Sequence, residues 1–119
     1  VSLEEVLKNS DFISLHVPYD KAAGSLIGKK ELELMKNTAY LINCARGKVV
    51  DEAALIEALD KGEIDGAGID VFEQEPTKNE TLVNHPKVSV TPHIGAATEE
   101  AQTRIGEEVV SIIKEFFNL

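Results

Sequence analysis

Apolar positions fall into two rhythms, steps of three or four and short unbroken runs, and the two alternate from one end of the chain to the other. That alternation marks parallel βα units rather than a sandwich. Ser2 with Glu5 makes a capping box ahead of Leu3, Val6 and Leu7, which predicts a helix over 2–9. Phe12, Ile13, Leu15 and Val17 predict a first strand over 11–17, stopped by Pro18. A helix over 30–36 turns Leu32 and Met35 inward and ends at Asn37, and a strand follows at 39–43. Asp51 caps a helix carrying Leu55, Ile56, Ala58 and Leu59, with Gly62 suited to its C-terminal end. The third strand is predicted over 66–72, a polar loop with Pro76, Asn79 and Pro86 over 73–86, and the last strand over 87–91. Thr98 caps a closing helix to residue 119, with Glu99 and Glu100 in its first turn. Ala101, Ile105, Val109, Ile112, Phe116 and Leu119 form its stripe. Val110, Ile113 and Phe117 widen that stripe, so both sides of the helix need partners.

These elements define an α/β fold, a parallel sheet of about four strands with flanking helices. If the strands are added one after another in one direction, right-handed crossovers put the connecting helices on a single face. Parallel strands such as residues 13–17 are apolar on both sides and do not face water. The second face is therefore expected to lie under the end helices, 2–9 and 98–119, or under another chain. The domain reads as incomplete.

Composition narrows the function. At 119 residues, 43% of them hydrophobic, the chain suffices for one domain with a core. Twelve basic against 21 acidic residues give a formal charge of -9, which repels phosphate backbones and argues against nucleic acid. Cys44 is the only cysteine, so no intrachain disulfide forms, and a reducing, cytoplasmic setting is expected. No apolar run approaches the ~20 residues needed to span a bilayer, and neither a membrane partner nor a leader peptide is expected.

Three side chains sit just past the ends of apolar runs: Arg46, Glu75 and His93. In open parallel sheets, ligands bind in the crevice beyond the carboxyl ends of the strands. The Arg46 fork matches a carboxylate with two parallel hydrogen bonds, though an Arg in a small-residue turn is as often a plain surface residue. His93, in Thr91-Pro92-His93-Ile94-Gly95, titrates near neutrality and suits a group that takes and returns a proton. His16 lines the same crevice or caps the first strand, and His85, before Pro86, is predicted exposed. Glu73 and Glu75 both qualify as the carboxylate that orients His93, and residue chemistry does not choose between them. Asp70, inside an apolar strand, must find hydrogen-bond donors. No residue is assigned to a metal.

Taken together, Leu15-His16-Val17-Pro18, the run from Asn43-Cys44-Ala45-Arg46-Gly47 to Asp51-Glu52, Asp70-Val71-Phe72-Glu73-Gln74-Glu75-Pro76, and Thr91-Pro92-His93-Ile94-Gly95 closely resemble the D-isomer-specific 2-hydroxyacid dehydrogenases. The tail Ala96-Ala97-Thr98-Glu99-Glu100-Ala101-Gln102 looks most like the D-3-phosphoglycerate dehydrogenase branch. The resemblance implies a Rossmann-like domain and hydride transfer between NAD and C2 of a D-2-hydroxy acid. It implies that Arg46 binds the substrate carboxylate and carbonyl oxygen, that His93 is the acid/base, and that Glu75, directly before Pro76, is its partner. By the same resemblance Cys44, Ala45, Arg46, Asp70 and His93 lie at the nicotinamide end of NAD, and His16, Val17 and Pro18 flank its adenosine part. Tyr19-Asp20 departs from the family, which usually carries a hydroxyl residue near that point.

The chain contains no G-x-G-x-x-G turn, no acidic residue ending a second strand to hold a ribose, and no substrate domain. Residues 1–119 thus read as the second half of a dinucleotide-binding domain, half of a doubly wound sheet. The parent is expected to be an enzyme. This piece is expected to bind NAD weakly or not at all alone, and to self-associate as a homo-oligomer or swapped dimer through its open edge. The competing expectation is a non-catalytic dehydrogenase-like module that serves binding or oligomerisation.

Overall fold

Four short strands pair side by side in the order in which the chain makes them, and all run parallel. The computed structural model describes residues 1–119. In chain order the elements are α1 (Leu3–Asn9), β1 (Phe12–Leu15), α2 (Lys29–Leu34), β2 (Tyr40–Asn43), a 3-10 turn (Gly47–Val49), α3 (Glu52–Lys61), β3 (Gly66–Ile69), α4 (Glu80–Val83), β4 (Val88–Val90) and α5 (Glu99–Phe117). Register pairs Phe12 with Tyr40, Tyr40 with Gly66, and Ala67 with Val88. The α/β architecture and sequential parallel sheet are those expected from the alternating pattern.

Local chemistry starts α1, α3 and α5 where predicted, whereas α2 stops at Leu34 with Met35 already extended rather than at Asn37, and α5 stops at Phe117. The Ser2 hydroxyl accepts the Glu5 amide while the Glu5 carboxylate accepts the Ser2 amide, closing the capping box of α1. Asp51 caps α3 by accepting the Ala54 amide, and Gly62 ends that helix with φ 72, a left-handed conformation open to glycine at little strain. Thr98 caps α5 through the Ala101 amide.

The strands are shorter than the apolar runs. Val17, Val71 and Phe72 lie past the ends of β1 and β3, and Val71 and Phe72 stay buried although the chain has left the ladder. Burial continues where pairing stops, so hydrophobicity overruns the strand. The 73–86 segment also holds a helical turn, α4, which was expected to be loop. Asn79 caps it through the Leu82 amide, and Leu82 is fully buried. Four residues are too few for a helical period to show in sequence.

One face of the sheet carries the core. Leu7, Ile13, Leu15, Leu32, Leu41, Leu55, Ile69 and Leu82 belong to a single buried cluster. The helices α1 to α4 pack in a row, each against the next. The end helices do not cover the opposite face, so the first of the two expected arrangements does not hold. Helix α1 joins the row beside α2, and α5 buries none of its residues. Phe12 and Tyr40, stacked with ring centroids 5.5 Å apart, are left on the open side of β1 and β2. The sheet has one finished face and one bare one.

This division yields a stability prediction. Leu55→Ala, at a fully buried site, is expected to lose about 2–5 kcal/mol. Ile112→Ala, at a position 57% exposed on α5, is expected to change stability by less than about 0.5 kcal/mol. Urea unfolding of both variants checks this, and a large loss for Ile112→Ala would mean that α5 is packed in solution.

Candidate active site

The carboxyl ends of β2, β3 and β4 each feed a loop, and buried side chains fix the shape of all three. After β2, buried Asn43 accepts the Ala45 amide with Oδ1 (3.1 Å) and donates through Nδ2 to the Arg46 carbonyl (3.0 Å). The loop is thereby drawn into a turn that leaves Arg46 exposed at the sheet edge. The guanidinium touches only its neighbour, Nη1 donating to the Ala45 carbonyl at 2.7 Å, and makes no ion pair. It is a cation available to a ligand.

Gly47 permits the next approach. A Cβ there would lie 1.8 Å from the Phe72 carbonyl oxygen, so only glycine lets the Arg46 loop press against the segment leaving β3. That segment is also tied to the start of α3. The Glu52 amide donates to Glu73 Oε1 (3.0 Å) and the Glu73 amide donates to Glu52 Oε2 (2.7 Å). Asn79 Nδ2 donates to the other Glu52 oxygen at 3.0 Å.

Asp70 organises the third loop. Its Oδ1 accepts the Thr91 hydroxyl (2.6 Å) and the Ile94 amide (2.8 Å), and its Oδ2 accepts the Gly95 amide (3.0 Å). The carboxylate is only 3% exposed, yet these donors satisfy it. Burial alone pushes its carboxyl up. The Thr91 hydroxyl and the Ile94 and Gly95 amides together outweigh that, with help from His93, and hold it below its ordinary 3.8. The same clasp bends the chain around His93, which sits at φ 57, rare for a residue with a side chain.

His93 meets Glu75. Nδ1 lies 2.6 Å from Glu75 Oε2, and the other Glu75 oxygen accepts the Phe72 amide at 3.2 Å. An ionised carboxylate has no proton to give, so Nδ1 carries the hydrogen and Nε2 is left for other work. The imidazole, and next the Phe72 amide, hold the Glu75 carboxyl below its ordinary 4.5. The choice between the two glutamates is thus made by geometry. Glu73 is committed to the Glu52 amide, and Glu75 is the one that reaches His93.

Arg46, Glu75 and His93 line one depression of about 310 Å³, together with Tyr19, Lys48, Phe72 and Glu73. A second groove, of about 510 Å³, shares Arg46 and Tyr19 with it and is otherwise lined by His16, Val17, Pro18, Cys44 and Ala45. His16 lies beyond β1, exposed and 2.8 Å from the Ser14 hydroxyl, so it lines the groove rather than ending a strand. Asp70 sits beneath the His93 loop, outside both linings. His85 is not exposed as predicted. Its side chain is 8% exposed, with Nε2 2.8 Å from Asp60 and Nδ1 accepting the Lys87 amide. Sequence reasoning assigned nothing to Tyr19, Lys48, Asn43 and Thr91. Tyr19 and Lys48 line the depression, and Asn43 and Thr91 shape the loops around it. The available signal was that each flanks a quoted motif or lies within one.

A guanidinium, an imidazole and a carboxylate thus meet at the carboxyl edge of a parallel sheet, groups whose chemistry allows proton exchange and pairing with an anion. The family description "D-isomer specific 2-hydroxyacid dehydrogenase, NAD binding domain" matches residues 1–95, and the chain belongs to that family. The domain that defines this family binds NAD. The glyoxylate reductase of Thermococcus litoralis is 56% identical over 109 residues, covering 92% of this chain and 33% of the relative. The D-3-phosphoglycerate dehydrogenase of Bacillus subtilis is 45% identical over 115 residues, covering 97% and 22%. The solved D-lactate dehydrogenase of Aquifex aeolicus, complexed with NAD and lactic acid, aligns with a TM-score of 0.79 at 41% identity, covering 99% of this chain and 40% of that one. The chain spans a third or less of the length of these two curated relatives. No helix is long and apolar enough to cross a membrane.

A carboxyl whose pKa is lower folded than unfolded stabilises the fold fully above the unfolded value and loses that contribution as pH falls through the folded one. Asp70 and Glu75 both belong to this class. Stability is therefore expected to be level above about pH 5 and to fall below it. Asp70→Asn, which does not ionise and turns an N–H toward amide donors, is expected to be less stable at neutral pH with a shallower acid limb. Urea unfolding from about pH 7 to pH 3 measures both. Equal acid slopes in the two proteins would remove Asp70 from this role.

Proposed function

We propose that residues 1–119 are the second half of the dinucleotide-binding domain of an NAD-dependent oxidoreductase acting on D-2-hydroxy acids. The observation that carries this reading is the His93–Glu75 bond at 2.6 Å in a depression shared with the unpaired Arg46. The groove beside it suits the cofactor. Val17, Pro18 and Ala45 supply apolar surface, Arg46 a cation, and His16 and Cys44 complete the lining. NAD, when bound, supplies the acceptor or donor of the hydride. Arg46 holds the substrate carboxylate and polarises the C2 oxygen. His93 Nε2 removes the C2 hydroxyl proton in oxidation and returns it in reduction, while Glu75 fixes the ring through Nδ1 and stabilises the imidazolium. Asp70 holds the His93 loop in place, and that loop would border the nicotinamide when NAD is bound.

Among 2-hydroxy acids, the 96–102 tail favours 3-phosphoglycerate. The names of the relatives, glyoxylate reductase and D-lactate dehydrogenase among them, keep glyoxylate and lactate beside it. The isolated chain binds NAD weakly and does not turn over, because no glycine turn within it anchors the pyrophosphate. The free, exposed Cys44 thiol suits a reducing, cytoplasmic setting. The bare sheet face and α5 favour a second reading beside this one, association with a second copy through apolar surface.

The test is a chimera in which these residues replace the matching segment of the Thermococcus litoralis glyoxylate reductase. NADH- or NADPH-linked reduction of 2-oxo acids is expected. His93→Ala should lower kcat by roughly 10²–10⁴-fold, and Arg46→Ala should both raise KM and lower kcat, through loss of the carboxylate and C2-oxygen contacts respectively. A folded chimera without activity, or one indifferent to His93→Ala, would overturn the proposal.

A further inference from the structure

Glu52 is buried, carries a carboxylate, and touches neither His93 nor Arg46. Its bonds are spent on the segment that delivers Glu75. Glu52 and Glu73 exchange backbone amides and side-chain carboxylates reciprocally, and Asn79 takes the remaining Glu52 oxygen. Each carboxylate caps a backbone N–H that the ladder and the first turn of α3 leave unpaired, and neither side chain is in an ion pair. One residue earlier in the chain, the Phe72 carbonyl abuts Gly47, and two residues later lies Glu75. We infer that the Glu52–Glu73 exchange is a positioning clamp that sets where Glu75 meets His93 relative to Arg46.

The clamp works by removing freedom. Between Phe72 and Pro76 the chain is off the sheet, and Glu73 to Pro76 are exposed. Without the clamp, only the Phe72 amide bond and the His93 bond would hold Glu75. Two charge-assisted bonds from the rigid start of α3 fix Glu73, and two peptide units leave the next carboxylate little room to wander. His93 bonds the Glu75 carboxylate and Asp70 opposes its charge, and neither belongs to the clamp; Arg46, Lys48 and Glu73 line the same depression. Glu73 is thus a positioning residue, for a reason its place beside Glu75 in the sequence conceals.

The inference rests on the His93–Glu75 pair of the proposed function, yet its test needs no ligand and no turnover. In the 119-residue chain, NMR follows the His93 Nδ1 proton and the titration of the Glu75 carboxyl carbon. Glu73→Ala is expected to broaden or lose the Nδ1 proton signal and to move the Glu75 titration upward, most of the way to the ordinary glutamate value. Glu73→Gln keeps an oxygen for the Glu52 amide and is expected to restore both readings. Glu52→Asp, which keeps the charge at the start of α3 but shortens its reach, should behave like Glu73→Ala. It carries the test should Glu73→Ala fail to fold. A purely structural role would lower the unfolding midpoint while leaving the folded-state Glu75 titration and the Nδ1 proton untouched, and that result overturns the clamp. An inactive chimera with a clamp that behaves as described would instead sink the proposed function alone.

Discussion

Carboxylates bonded to backbone amides hold the working edge of this sheet together. Where the strands end, the ladder no longer pairs the main chain, and the loops would otherwise expose their N–H groups to water and drift. Asp70 takes the amides of Ile94 and Gly95, Glu73 takes that of Glu52, Glu52 takes that of Glu73, and Glu75 takes that of Phe72. An ionised acceptor makes a stronger bond than a neutral one, and a buried one is expensive to leave unpaired. The loops after β2, β3 and β4 therefore behave as extensions of the scaffold rather than as tethers.

That arrangement also leaves Arg46 unpaired, although a local excess of carboxylates would ordinarily capture it. Here the carboxylates of Glu52, Glu73, Glu75 and Asp70 are each engaged by an amide, a hydroxyl or His93, and the guanidinium keeps its charge for a ligand. Close packing sets the spacing. Gly47 against the Phe72 carbonyl brings two loops within contact, which no larger residue would allow.

The opposite side of the molecule obeys no such economy. Helix α5 turns Ile105, Val109, Ile112 and Phe116 to solvent, with Phe116 78% exposed, and β1 and β2 leave Phe12 and Tyr40 uncovered. A wide apolar stripe on a helix and a bare face on a parallel sheet are surfaces that water penalises. The chain thus carries one finished and one unfinished surface, and it spans about a third of the length of the Thermococcus litoralis relative.

Local sequence determined the elements and their order. The capping box at Ser2 and Glu5, the caps at Asp51 and Thr98 and the αL glycine at 62 act through neighbouring atoms, so residues three or four apart suffice to read them. The quoted motifs named Arg46, Glu75 and His93, because the chemistry of a guanidinium, a carboxylate and an imidazole is carried by the residue itself. Tertiary structure decided whatever depends on who arrives from elsewhere in the chain. It chose Glu75 over Glu73 by engaging Glu73 with residue 52, satisfied Asp70 with donors more than 20 positions away, tucked His85 against Asp60, and left α5 without a floor. Each outcome is a long-range bond or its lack, and no periodicity along a chain records which distant group will supply the proton.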